Sequence, residues 1–378
     1  MNAWRKHAAT LAEKVTHPQS RWHDAVASTP RHLFVPRWWW KEPTGPVLAD
    51  GPSNPDLWKR VAYADTTVLT RIGTLHADHA QPDDHPEGLP TSSATLPSLT
   101  LQMYRHVRPA EGMDILDVGT GSGYGAALLA HRFGNARVTT LDVDPYLTKA
   151  AAERLDAAGL APHVLTADAM EPLPGQWDRI VCTVSLPRIP PSLLAALRTG
   201  GRLVTNIANT CLVIGVEKTE DGGAVGRVER DWAGFMTTRH GDDYPPAQAD
   251  RFEQVHDQDG EEVTTGRYPV LQVMEAWDLW TMLELTAPGI AHRYEEGPAG
   301  ERTAWMVHAD GSWARAEGRG TDAPTVHQGG PRRLWDELER VRHRLNCEGG
   351  LPLYGATVRI DPNGTATLTR GGWIATLH

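Results

Sequence analysis

The sequence predicts an α/β protein: a doubly wound, mostly parallel sheet, led by a helical segment and followed by an extra α+β region. Three observations carry this. Between Leu96 and Ile207, short apolar stretches alternate with helical stretches of about ten residues, the grammar of right-handed strand–helix–strand crossovers. A glycine-rich turn, Asp117 to Gly123, interrupts the first crossover. After Cys211 the pattern becomes a hairpin, CLVIGVEK and VGRVERD around EDGGA, so antiparallel strands finish the sheet.

The elements follow in order. Trp4, Ala8, Leu11 and Val15 recur at helical spacing, and Trp22, Val26 and Ala27 suggest a second short helix before Pro30. The stretches GPVLADGPSNPD and HADHAQPDDHPEGLP read as long loops, with a short strand or turn between Trp58 and Ile72. A helix over Ser98–His106 precedes the buried strand MDILDVG. Then come a helix (Ala126–Phe133), the strand ARVTTLDV, a helix (Pro145–Ala158), the strands HVLTAD and RIVCTV, a helix (Pro191–Leu197) and the strand GRLVTNI. A polar, proline-containing break, DDYPPAQAD, suggests a boundary. The expected division is 1–95 for an N-terminal helical and substrate-loop segment, 96–244 for a nucleoside-binding core and 245–378 for an accessory domain. In that last part Arg332–Leu345 reads as an amphipathic helix, and the end as strands around an Asp-Pro-Asn-Gly turn.

Composition excludes several classes. Hydrophobic residues at 40% and charged residues at 22% are globular values. The net charge of −10 comes without any basic block, a poor match to nucleic-acid phosphates. No apolar stretch approaches the roughly 18 residues of a membrane span. The charged N-terminus has no signal-peptide core, so the expectation is a cytoplasmic protein. Cys182, Cys211 and Cys347 lie far apart, as expected of reduced, mostly buried thiols. The histidines near His76, His79 and His85 have no metal-ligand framework, and no metal is expected.

The strongest local signal is Asp117-Val118-Gly119-Thr120-Gly121-Ser122-Gly123, after a buried strand and opening a helix. Glycines let the backbone approach a ligand, and the helix start offers N–H groups. The next strand ends at Asp142-Val143, where a carboxylate can accept both ribose hydroxyls. A third ends at Asp168-Ala169, where an acid can take an adenine amino group. Taken singly, either acid is equally a solvated strand end; together with the turn they describe a nucleoside crevice. Both NAD and S-adenosylmethionine (SAM) satisfy that crevice. The D-x-G-x-G-x-G spacing suits the amino-acid and sulfonium end of SAM better than a pyrophosphate, and it resembles motif I of class I methyltransferases.

Further stretches extend the resemblance. Thr29–Pro36, Ala62–Asp65, Ser93–Pro97, Trp177–Thr183, Ile189–Leu194 and Gly200–Val204 are together similar to the protein-L-isoaspartate O-methyltransferase family. Two departures stand out. Thr95 holds the place of the family's substrate-facing serine, with Ser93 in the place of its threonine, and the segments near 37–57 and 73–90 are lengthened. The longer chain, from Pro36-Arg37-Trp38-Trp39 through Arg333–Leu338, resembles a subgroup associated with ATP-grasp-made graspetides and with some lanthipeptides and lasso peptides.

That resemblance implies a SAM-dependent O-methyltransferase, releasing S-adenosyl-L-homocysteine (SAH), whose acceptor is an Asp carboxylate of a cyclised ribosomal peptide. The ester then closes to aspartimide. Ser93 and Thr95 are the expected catalytic and substrate-orienting residues, aided by N–H groups at the next helix start; helix capping is their other reading. Arg188 is a candidate contact for an acidic peptide, and equally a surface arginine. Trp38-Trp39-Trp40 is either a hydrophobic anchor or part of a peptide groove. Two alternatives remain beside this expectation: a general isoaspartate repair enzyme, and a non-catalytic SAM- or peptide-binding maturation partner.

Overall fold

The computed structural model describes residues 3–42, 45–241, 249–349 and 353–377. From the N-terminus come α1 (Ala3–Val15), α2 (His23–Ser28), β1 (Arg37–Glu42), β2 (Gly45–Asp50), α3 (Pro55–Ala62), β3 (Val68–Ile72), β4 (Leu75–His76) and β5 (Pro90–Ala94). The middle alternates: α4 (Pro97–Val107), β6 (Ile115–Val118), α5 (Tyr124–Phe133), β7 (Val138–Asp142), α6 (Pro145–Ala157), β8 (His163–Thr166), β9 (Trp177–Leu186), α7 (Pro191–Ala196) and β10 (Leu197–Ile207). There follow β11 (Leu212–Lys218), β12 (Ala224–Trp232), α8 (Ala249–Val255), β13 (Glu262–Thr265), α9 (Trp277–Thr286), β14 (Ala291–Glu296), β15 (Glu301–Val307), β16 (Trp313–Arg319) and β17 (Thr325–Gly329). The chain closes with α10 (Leu334–Glu348), β18 (Thr357–Ile360), β19 (Ala366–Arg370) and β20 (Trp373–Leu377).

A ten-stranded sheet in the order β20-β19-β18-β12-β11-β10-β9-β6-β7-β8 forms the centre. Strands β6 to β10 run parallel, and β11 and β12 join antiparallel, as the hairpin pattern predicts. All four residues of β6 are buried, which is why it shows no in–out alternation and is apolar except for Asp117. The chain winds outward through β7 and β8, then returns to β9 on the other side of β6. That reversal opens a crevice at the strands' carboxyl ends, where doubly wound sheets bind ligands.

Two expectations are corrected. The stretch GPVLADGPSNPD is not a loop: β2 pairs along all of β1, and Asn54 caps α3 by accepting the Leu57 N–H at 3.2 Å. Period-two alternation is weak there because every residue of β2 is half-buried except the exposed Val47. Nor does the chain after residue 245 form a wholly separate unit. Strand β18 pairs with β12, so the last three strands extend the central sheet. Of the described strands in this region, β13 to β17 make a sheet of their own, and Met306, Trp335 and Leu338 share one core with Leu203 and Ile214 of the central sheet. Most of the expected boundary, residues 242–248, lies outside the described residues.

Trp38 and Trp39 are buried, as an anchor requires, while Trp40 is exposed. Cys182 is buried but Cys347 is exposed, against the expectation of mostly buried thiols. Among the described residues no helix is long and apolar enough to cross a membrane.

Candidate active site

A crevice of about 260 Å³ sits over the carboxyl ends of β6, β7, β8 and β9. It brings together Ser93, Thr95, Asp117, Gly119, Thr120, Gly121, Ser122, Asp142, Val143, Asp168 and Ala169. Gly123 stands just behind the lining, as the first residue before α5. Arg188 does not line the crevice; it is exposed beyond the end of β9.

The floor is the glycine turn. Gly119, Gly121 and Gly123 have φ of +97°, +48° and +90°, backbone that side chains disfavour. A Cβ on Gly119 would come within 2.8 Å of Val184 Cγ1. The Gly119 and Thr120 N–H groups donate to the Leu141 carbonyl at 2.9 and 3.0 Å, clamping the turn to β7.

Asp117 lies beneath this turn, 1% exposed. Burial raises its carboxyl to about 7, although the Thr140 hydroxyl donates to Oδ2 at 3.0 Å. Its Oδ1 is buried without a hydrogen-bond partner among the described residues. A buried carboxylate left this way is a strong attractor for a cation. Burial also raises Asp142, while its carboxylate accepts the Gly121 N–H at 3.0 Å and the Asp144 N–H at 3.2 Å. Asp168 accepts the Met170 N–H at 2.8 Å and pairs with His240 Nδ1 at 2.6 Å.

The opposite wall is hydroxyl-rich: Thr67, Thr91, Ser92, Ser93 and Thr95. Ser92 is engaged, accepting from Thr70 at 2.9 Å. The Ser93 and Thr95 hydroxyls have no protein partner among the described residues. Neither caps α4, whose cap position is Leu96 and has no side-chain cap bond. The expected help from the helix start is corrected in part, because Thr67 and Asp65 already accept the Leu96 and Ser98 N–H groups, at 3.2 and 2.9 Å.

Three features escaped the sequence reading. The first is Arg31, fully buried, which donates to five carbonyls: Ala62, Ala64, Thr66, Ala94 and Thr95. It fastens the 62–67 bend to the hydroxyl wall. Its place within Thr29–Pro36 was visible, but its partners are 31 to 64 residues away. The second is the anchoring of the 73–90 segment, where Asp78 pairs with Arg154 and accepts the Tyr146 hydroxyl at 2.6 Å. His76 and His79 pack on the Tyr146 ring rather than forming ligand sets, and burial pushes His76 down to about 4. Among the described residues no three His, Cys, Asp or Glu side chains are grouped for a metal. The third is the segment Gly234–Arg239, which lines the crevice after β12.

Cradle, acids and fold together define a class I SAM-dependent methyltransferase, and the unpartnered Asp117 oxygen beside the glycine turn fits a cationic cofactor. A family model for protein-L-isoaspartate(D-aspartate) O-methyltransferase matches residues 80–233. The chain is 35% identical over 169 residues to the protein-L-isoaspartate O-methyltransferase of Korarchaeum cryptofilum, covering 41% of this chain and 67% of that one. It is 35% identical over 207 residues to that of Methanopyrus kandleri, covering 53% and 75%. For the Pyrococcus abyssi relative the match spans 60% of its length and 33% of this chain, at 31% identity. A solved structure of the same name shares the fold over 97% of this chain and 99% of its own, with a TM-score of 0.51 and 16% identity. The chain belongs to the protein-L-isoaspartate O-methyltransferase family.

Proposed function

We propose that this chain transfers the methyl group of SAM to a side-chain carboxylate of an aspartyl-type residue in a peptide. The observation that carries the reading is the pair of unpartnered hydroxyls, Ser93 and Thr95, on the crevice wall across from the glycine turn. SAM supplies an activated methyl on a sulfonium. Asp117 and the turn would hold its amino-acid end, Asp142 and Val143 its ribose, and Asp168 and Ala169 its adenine. A carboxylate, with an ordinary pKa near 4, is already ionised at neutral pH. The chain therefore needs no general base; it must orient the acceptor and exclude water. Ser93 and Thr95 donate to the incoming carboxylate, while Leu96, Leu99 and Phe235 line the same crevice and keep it apolar. Orientation of this kind can contribute on the order of 7–11 kcal/mol.

The preferred acceptor is one Asp of a cyclised ribosomal peptide. The backbone nitrogen of the next residue then attacks the ester carbonyl and expels methanol, leaving an aspartimide one water lighter than the starting peptide. The lengthened 73–90 segment supports this reading: it leads into β5, the strand carrying the hydroxyl wall, and is fixed to α6 through Asp78. Repair of isoaspartate in damaged proteins is the competing reading. It is favoured by the 35%-identical relatives of that name, and because a solved structure shares the fold over nearly the whole chain, the accessory region is no argument against it. Mass spectrometry with SAM, run on a plain isoaspartyl peptide and a cyclised Asp-containing precursor, separates the two. Loss of one water from the precursor alone supports tailoring; a methyl ester on the isoaspartyl peptide alone overturns it in favour of repair.

A further inference from the structure

The segment Gly234–Gly241 runs from β12 back across the mouth of the crevice. Its first half is fixed through backbone. The Ser185 N–H donates to the Met236 carbonyl at 2.9 Å, the Thr238 N–H to the Ser185 carbonyl at 2.9 Å, and the Ser185 hydroxyl to the Phe235 carbonyl at 2.7 Å. Its second half is fixed by two side chains. Arg239 Nη2 donates to Asp144 Oδ2 at 2.9 Å, and His240 Nδ1 pairs with Asp168 Oδ2 at 2.6 Å. Asp144 is the N-cap of α6 and gives its N–H to Asp142 at 3.2 Å. The two anchors thus sit on the loops that carry the proposed ribose and adenine acids.

We propose that Arg239 and His240 are positioning residues that latch this strap over the adenosine end of the crevice, so that cofactor release requires breaking both pairs. The proposal rests on the reading of the crevice as the SAM site. Two features make a latch of the pairs rather than incidental surface contacts. The strap residues that the pairs hold down, Gly234 to Arg239, themselves line the crevice. The acid partners are already oriented by backbone: Asp168 Oδ1 accepts the Met170 N–H, and Asp144 Oδ1 accepts the Tyr146 and Leu147 N–H groups at 2.9 and 3.3 Å. Fixed carboxylates give the strap one seated position. Arg239 is also held by its own turn, donating to the Gly241 carbonyl. Its side chain is 11% exposed against 65% for His240, so Arg239 carries the larger share, because solvent weakens the outer pair.

The test is the SAH dissociation rate of the full chain, read by stopped-flow chase through tryptophan fluorescence. Arg239→Ala is expected to raise the rate about tenfold and His240→Ala about threefold, the ordinary ratio for a shielded and an exposed charged pair. His240→Asn, which keeps a short side-chain N–H, restores much of the loss. KM for SAM should rise by more than kcat falls, a split that general unfolding would not give, and melting of the ligand-free variants checks the fold. Wild-type off-rates in both alanine variants would overturn the latch alone. Failure of the wild-type chain to bind SAH would overturn the cofactor reading, and the latch with it.

Discussion

Asp117 offers a test in which stability and function move in opposite directions. Its carboxyl is raised from 3.8 to about 7 because burial penalises the charge. At 1.36 kcal/mol for each pKa unit, that difference corresponds to roughly 4 kcal/mol held against the ionised folded form. A folded-state pKa above the unfolded value means the folded chain binds the extra proton between about 4 and 7, so stability falls as pH rises through that window. Asp117→Asn removes the charge while keeping shape and the acceptor for Thr140. The cofactor-free variant should therefore melt several degrees above wild type at pH 8.5, with the gain shrinking toward pH 4. The same variant should bind SAM about 10–100-fold more weakly, the range for losing one charged hydrogen-bond partner. Differential scanning fluorimetry at pH 8.5 and 5, with isothermal titration of SAM, reads both. A variant less stable than wild type at pH 8.5 would refute the claim that burial holds the Asp117 carboxyl against ionisation in the cofactor-free chain.

Other predictions follow from the same geometry. Thr95→Val keeps the shape and removes the hydroxyl; turnover should fall about 10–100-fold with SAM affinity intact, and initial rates with SAM titration check this. Arg31→Met strands five carbonyls that share one guanidinium, so the chain should lose about 3–5 kcal/mol in urea unfolding. His76, held by burial at about 4, stays neutral in the folded chain while its unfolded counterpart protonates near 6.5, so its presence costs stability as pH drops from about 6.5 to 4. His76→Gln should thus gain on wild type across that window, measured as the difference in melting temperature. Gly119→Ala forces a Cβ into φ +97° and against Val184, and should abolish measurable SAM binding in titration calorimetry.

That the residues proposed to hold the nucleoside line one crevice was legible in the sequence, because each sits in or beside the last residues of a strand, where apolar residues give way to glycine or acid. Asp117, Asp142 and Asp168 needed only local pattern. The acceptor half was legible through resemblance alone, since Ser93 and Thr95 have no periodicity to distinguish them from a polar turn. What stayed hidden depends on long-range contact. Arg31 reads as an ordinary polar residue until the fold delivers five carbonyls to it. The strap reads as a polar tail after β12, because its anchors are Ser185, Asp144 and Asp168, brought near only by the winding of the sheet. The C-terminal strands looked like an appendage for the same reason: the pairing of β18 with β12 closes over more than a hundred residues.

The central claim is that the hydroxyl wall presents a carboxylate to the cofactor. The most direct measurement is the chemical lability of the transferred methyl. After incubation with methyl-labelled SAM and an Asp- or isoaspartyl-containing peptide, the account predicts label that leaves as volatile methanol in mild alkali, and its near-complete loss in Thr95→Val. Label that stays on the peptide in alkali would mean transfer to nitrogen or carbon, and would contradict the account.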